Sequence, residues 1–195
     1  MKRISKMKKY TTTRKTLTAT TAVAVAIASV VVTSVWQIPQ ASASSLEEIR
    51  ATREVSAPID KVWKVVSDID NETKYWSTVK TIRNINTTAI NMTANTTERE
   101  VTIVVGPQGD TITHQFVTVN PEQFVVETNI TEGPLTGTRL LTLSPSSNVN
   151  ATRIDVVWNV DLSGIPLLGR GFVQDGIMRT TEQALSNMAA EVEVK

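Results

Sequence analysis

No cysteine occurs among the 195 residues, and histidine occurs once, as His114. The first absence excludes disulfides, thiolate metal sites and a cysteine nucleophile, and the second leaves a histidine metal centre without companions. Neither a metal nor a cofactor is expected. Acidic residues are missing from positions 1 to 43, which hold seven of the 20 basic residues. The remainder therefore carries 13 basic against 19 acidic side chains, a net charge of −6. Such a domain offers no basic face to a phosphate backbone, so nucleic acid is not an expected partner. No pair of carboxylates has a spacing that argues for acid–base work.

What is present begins with a basic start, then Leu17 to Val35 without a charge, then Ala41-Ser42-Ala43. This is the order of an export signal, with cleavage between Ala43 and Ser44. A retained single-pass anchor is the alternative, since about 19 residues can span a bilayer, although Thr18, Thr20, Thr21, Ser29, Thr33 and Ser34 weaken it as a permanent span. Either way the rest of the chain, 44–195, is expected as one extracytoplasmic domain, secreted or held at the membrane surface by residues 1–43. Asn-X-Thr sequons at Asn71, Asn86, Asn91, Asn95, Asn129 and Asn150 agree with export, and glycans there would require solvent-facing side chains.

Gly169 to Val192 reads as one long helix. Val173, Ile177, Leu185, Met188 and Val192, with Ala184 and Ala189 between them, form an apolar stripe at three- and four-residue steps. About 24 residues at 1.5 Å each give roughly 36 Å, which needs a broad apolar surface to lie on. The strands before it supply that surface. Glu48 to Ser56 is a first strand, Pro58 opens a short helix running to about Asp68, and Asn71 to Trp76 is a second short helix. Strands follow over Thr78–Asn86, Glu98–Val105, Thr111–Val119, Gln123–Thr131, Leu135–Leu143 and Thr152–Asp161, separated by turn signals. Thr87 to Thr97 reads as a polar hairpin tip or ragged strand end. Alternation sends Val126, Thr128 and Ile130 inward if Asn129 faces solvent, and likewise Val101, Ile103 and Val105, and Ile154, Val156, Trp158 and Val160.

A strand, then Ala57-Pro58-Ile59-Asp60-Lys61-Val62-Trp63 opening a short helix, Asp68 closing it, a Tyr75-Trp76 pair, more strands and a long last helix: this order resembles the helix-grip superfamily. Its members include START lipid-transfer domains, birch-pollen-allergen-like proteins, polyketide cyclases and dehydrases, and coenzyme-Q-binding proteins (SRPBCC-type). The resemblance spans Glu48 to Val192. It implies an α+β fold, a seven-stranded curved antiparallel sheet wrapped around the C-terminal helix, with a cavity for lipids, sterols, quinones or aromatic polyketides. An exported member departs from the cytoplasmic bacterial relatives.

The expected function is binding or carriage of a small apolar ligand outside the membrane by a monomer. Candidate lining residues are Trp76, Ile103, His114, Phe116, Phe124, Val126, Trp158, Ile177 and Leu185, with Trp158 and Phe124 foremost. A cyclase- or dehydrase-like enzyme is the alternative. It would rest on His114, which shares a strand face with Ile112 and Phe116, or on Arg139, which shares parity with Leu141 and Leu143. Against these stand a packed, hydrogen-bonded histidine and a rim arginine in water. The third reading is a glycosylated structural or adhesive envelope module with a solid core.

Overall fold

The computed structural model of the chain describes residues 46–89, 94–105, 109–148 and 150–193, all within one unit, Ala41–Lys195. The expected signal or anchor over 1–43 with its Ala43–Ser44 cleavage point, the sequon asparagine Asn91, and Gly106 to Gln108 of one turn lie outside the described residues.

The order is β1 (Leu46–Val55), α1 (Ile59–Val66), a 3-10 helix (Ile69–Lys74), β2 (Val79–Ala89), β3 (Asn95–Val104), β4 (Asp110–Asn120), β5 (Val125–Glu132), β6 (Thr136–Pro145), β7 (Thr152–Asp161) and α2 (Leu167–Glu193). The seven strands form one antiparallel sheet in the order β1-β7-β6-β5-β4-β3-β2. This is the expected helix-grip architecture: an antiparallel meander closed by bringing the first strand beside the last, with a long terminal helix on its concave side. Short pieces behave as their residues require. Pro58, at φ −61°, is the N-cap of α1, one position before the helix starts, and its carbonyl accepts from the backbone N–H of Lys61 and Val62. Val62 and Val66 then point into the core.

The two flanks of the Thr87 to Thr97 segment, Thr87–Ala89 and Asn95–Thr97, are more regular than expected. β2 and β3 pair Thr87 with Thr97, Thr88 with Thr96 and Ala89 with Asn95, because threonine, branched at its β-carbon, favours extended backbone even where its hydroxyl meets water. The hydroxyls themselves bridge the strands, Thr87 to Thr97 at 3.3 Å and Thr96 to Thr118 at 2.8 Å.

The sheet's concave face is not uniformly apolar. Ile154, Val156 and Val160 of β7, Leu141 and Leu143 of β6, and Val126 and Ile130 of β5 are buried as their alternation requires. Among them sit buried Arg99, Thr113, Gln115, Thr128 and Arg139. α2 divides in the same way. Its C-terminal half buries Thr181, Ala184, Leu185, Met188, Ala189 and Val192, packed with α1 and β1. Its N-terminal half leaves Leu167, Leu168 and Phe172 exposed at 79 %, 92 % and 80 %. One half of the domain is therefore a solid core, and the other is not.

Candidate functional site

Between the concave sheet and the N-terminal half of α2 lies a chamber of about 880 Å³. Val101 and Ile103 of β3, Ile130 of β5 and Trp158 of β7 form its sheet wall, and Val173 and Ile177 of α2 form the opposite one. Trp76, just after the 3-10 helix, closes the inner end. Pro134, Phe172 and Arg179 are wall residues that are also exposed, and they mark the opening.

The inner end is charged. Glu72, on the six-residue 3-10 helix, is buried and takes a guanidinium on each oxygen: Arg99 Nη2 donates to Oε2 at 2.5 Å and Arg139 Nη2 to Oε1 at 2.5 Å. Burial alone would push the carboxyl's pKa up. The two guanidiniums outweigh it and hold Glu72 below the usual carboxylate range, so it stays ionised. Arg99 is fully buried, and desolvation lowers its pKa against the pull of Glu72, although a guanidinium remains protonated in proteins. It spends its donors on the Ile69 carbonyl at 3.0 Å and on Gln115 Oε1 at 3.0 and 3.2 Å. Gln115 passes the network on, donating to Thr113 Oγ1 at 2.9 Å, whose hydroxyl donates to the Val101 carbonyl at 3.2 Å.

Arg139 differs, because it faces the chamber. Its Nη2 also donates to Thr128 Oγ1 at 3.0 Å, and its guanidinium carbon lies 4.4 Å from the centre of the Trp76 ring and 5.5 Å from that of Trp158. The two rings meet edge to face at 5.9 Å. They hold the planar cation in place by cation–π attraction. Trp158 Nε1 donates to Thr181 Oγ1 at 3.0 Å, tying the sheet wall to α2. Trp76 Nε1 is buried and has no hydrogen-bond partner among the described residues.

The expected site residues separate into three groups. Trp76, Ile103, Trp158 and Ile177 line the chamber, and so does Arg139, which is no rim residue but 6 % exposed at the inner end. Phe124, Val126 and Leu185 belong instead to the solid half: Val126 and Leu185 are buried in the main core, and Phe124 packs edge-on against Trp63 at 5.6 Å. His114 and Phe116 stand on the convex face, because alternation on β4 sends Thr113, Gln115 and Val117 inward. There His114 Nε2 meets Glu98 Oε1 at 3.1 Å, Nδ1 meets Thr131 Oγ1 at 3.3 Å, and the ring lies 5.3 Å from Phe116. The apolar neighbours Ile112 and Phe116 made that face look internal, yet Ile112 is 61 % exposed.

Glu72 and Arg99 escaped the sequence reading. The inward assignment of Val101 and Ile103 already sends Arg99 inward by the same parity, so its signal was available. Glu72 sits in a 3-10 helix of six residues, too short for periodicity to betray it. Of the sequon asparagines, Asn86, Asn95, Asn129 and Asn150 are exposed, whereas Asn71 is half-buried with its amide donating to Asp68 Oδ2 at 2.7 Å. Among the described residues no group of three or more acidic or histidine side chains is placed to hold a metal ion, and no helix is long and apolar enough to cross a membrane.

Comparison with known proteins agrees with this architecture. Residues 47–193 match the family described as polyketide cyclase / dehydrase and lipid transport. The fold resembles that of a Thermus thermophilus protein (TM-score 0.62, 19 % identity, covering 76 % of this chain and 98 % of that one). It also resembles the Zhui aromatase/cyclase from a Streptomyces species (TM-score 0.62, 15 % identity, 76 % and 94 %) and a START superfamily protein from Mycobacterium smegmatis (TM-score 0.61, 15 % identity, 75 % and 97 %). No curated protein matches the sequence.

Proposed function

The chain belongs to the polyketide cyclase/dehydrase and lipid transport family, and from that premise we propose that it binds and carries a small hydrophobic molecule in the chamber between sheet and α2. The observation that carries this reading is the chamber itself. Its volume of about 880 Å³ falls in the range of small-molecule sites, and it has the usual composition of one, apolar walls with a few convergent polar groups. Carriage outside the cytoplasm is part of the proposal. It is supported by the basic-then-apolar start of the sequence and by the exposure of Asn86, Asn95, Asn129 and Asn150. On the same reading residues 44–195 form the carrier domain, acting as a monomer.

The geometry favours binding over catalysis. Of the two residues that a cyclase-like enzyme would use, His114 lies on the convex face and Arg139 cannot shed a proton. Glu72 is held ionised with both oxygens engaged, which disfavours it as general acid or base. A purely structural envelope module would have a solid interior instead of a chamber.

The test uses the purified full chain. Its organic extract is analysed by mass spectrometry, and the emptied protein is titrated with hexadecanol while tryptophan emission, to which Trp76 and Trp158 of the chamber wall contribute, is followed. Saturable binding of one molecule per chain, abolished in Ile103→Trp by filling the chamber, is the expected result. An empty extract together with a flat titration would overturn the reading.

A further inference from the structure

The chamber's inner end carries a surplus positive charge, and that surplus selects among apolar ligands. Glu72 is the only acid among the described wall residues, and it is shared by two guanidiniums, so the buried cluster of Glu72, Arg99 and Arg139 has a net charge of +1. Asp70 acts on Arg99 from the solvent side, where it is exposed and bonded to Asn84, so its compensation falls on the arginine that faces away from the chamber. Interior charges are stable when paired, and an unmatched cation beside oily walls favours an anion as its neighbour.

The hydrogen bonding points the same way. A guanidinium has five N–H donors, and Arg139 uses only those on Nη2. Its Nε and Nη1 make no hydrogen bond to any described residue, while its guanidinium carbon lies 4.4 Å from the Trp76 ring centre and 5.5 Å from that of Trp158. The acceptors within reach are already engaged: both oxygens of Glu72 by the arginines, Gln115 Oε1 by Arg99. What this end lacks is an acceptor, preferably a charged one, because charge-assisted bonds are the strong ones. A carboxylate oxygen can accept from Nη1, the terminal nitrogen that Glu72 and Thr128 leave free.

Resting on the reading of the chamber as a ligand site, we propose that the ligand is an amphipathic carboxylate. Its acidic head is seated against Arg139 at the closed end, and its apolar body runs between Ile103 and Ile177 toward Phe172 at the opening. Arg179, exposed at that opening, attracts the anion on its way in.

The test compares palmitate and decanoate with hexadecanol and decanol, titrated into the full chain and into Arg139→Met and followed by tryptophan emission. Removal of Arg139 leaves Glu72 and Arg99 paired one to one, so the variant is expected to fold, which circular dichroism checks. The acids should bind about ten- to hundredfold more tightly than the alcohols of equal length, and Arg139→Met should erase that ratio. The ratio in the unaltered protein stands as a test even if the variant misfolds. Equal affinity of acids and alcohols would overturn the acidic-head proposal while leaving an apolar carrier intact. Binding of neither class would overturn the carrier reading and this proposal together.

Discussion

Replacing Glu72 by glutamine isolates what the buried charges do. The side chain keeps its size, but it loses its charge and turns one acceptor into a donor that faces a guanidinium. The interior goes from one surplus positive charge to two. Each oxygen of Glu72 takes a guanidinium N–H at 2.5 Å in a site only 8 % exposed. Two hydrogen bonds to a charged group are worth about 1.5–3 kcal/mol each, and breaking a buried ion pair by removing one partner costs about 3–5 kcal/mol. The two routes agree on a loss of about 3–5 kcal/mol, against about 5–15 kcal/mol for a whole domain. At about 2–4 °C per kcal/mol for a domain of this size, the melting point should fall by roughly 6–20 °C. Urea unfolding followed by far-ultraviolet circular dichroism measures the change, with a constant slope showing that two-state behaviour survives. Arg139→Met should cost less than Glu72→Gln, since it removes the surplus cation instead of the shared anion. If Glu72→Gln loses less than about 1 kcal/mol at unchanged slope, the cluster is not held by charge and the reasoning fails.

Acid titration offers a further check. The pKa of Glu72 is depressed in the folded state, so its contribution to stability is complete above the ordinary carboxylate range and is lost as pH falls through the lower folded value. Melting points should therefore hold steady from neutral pH down to that range and drop below it, with a shallower drop in Glu72→Gln. Gly137→Ala should abolish soluble expression. Gly137 has φ +140°, and an added β-carbon would come 2.1 Å from the Asn159 carbonyl oxygen, a contact with backbone that cannot yield. Thr181→Val removes the acceptor of the Trp158 N–H on a fully buried residue and should cost about 1–3 kcal/mol by the same urea assay.

How far the sequence could be read depended on whether a feature was periodic. Strand alternation placed Val126, Thr128 and Ile130 correctly on the concave side, and the spacing of Leu185, Met188 and Val192 located the packed stripe of the last helix. The same alternation misled at β4, where His114 and Phe116 looked internal. A chamber wall built on guanidiniums needs polar partners such as Thr113 and Gln115 facing inward, so Ile112 and Phe116 ended on the convex face. Hydrophobicity indicates a buried face only where the interior is oily. Phe124 and Leu185 show a second limit. Both are internal as expected, but no local pattern says which half of the interior is filled, since that depends on how far α2 stands off from the sheet at Val173 and Ile177.

The pairing of β1 with β7 has a consequence for how the chain comes together. Leu46 lies opposite Asp161 and Val55 opposite Thr152, so the earliest strand finds its only neighbour in the sheet after five other strands have been made. Synthesis from the N-terminus therefore leaves Ile49, Ala51 and Val55 uncovered until nearly the whole chain has emerged. Contacts this distant in sequence are slow to form. Assembly should occur late and as one event, in milliseconds to seconds after release, and a chain cut short before Thr152 should remain prey to proteases along its entire length.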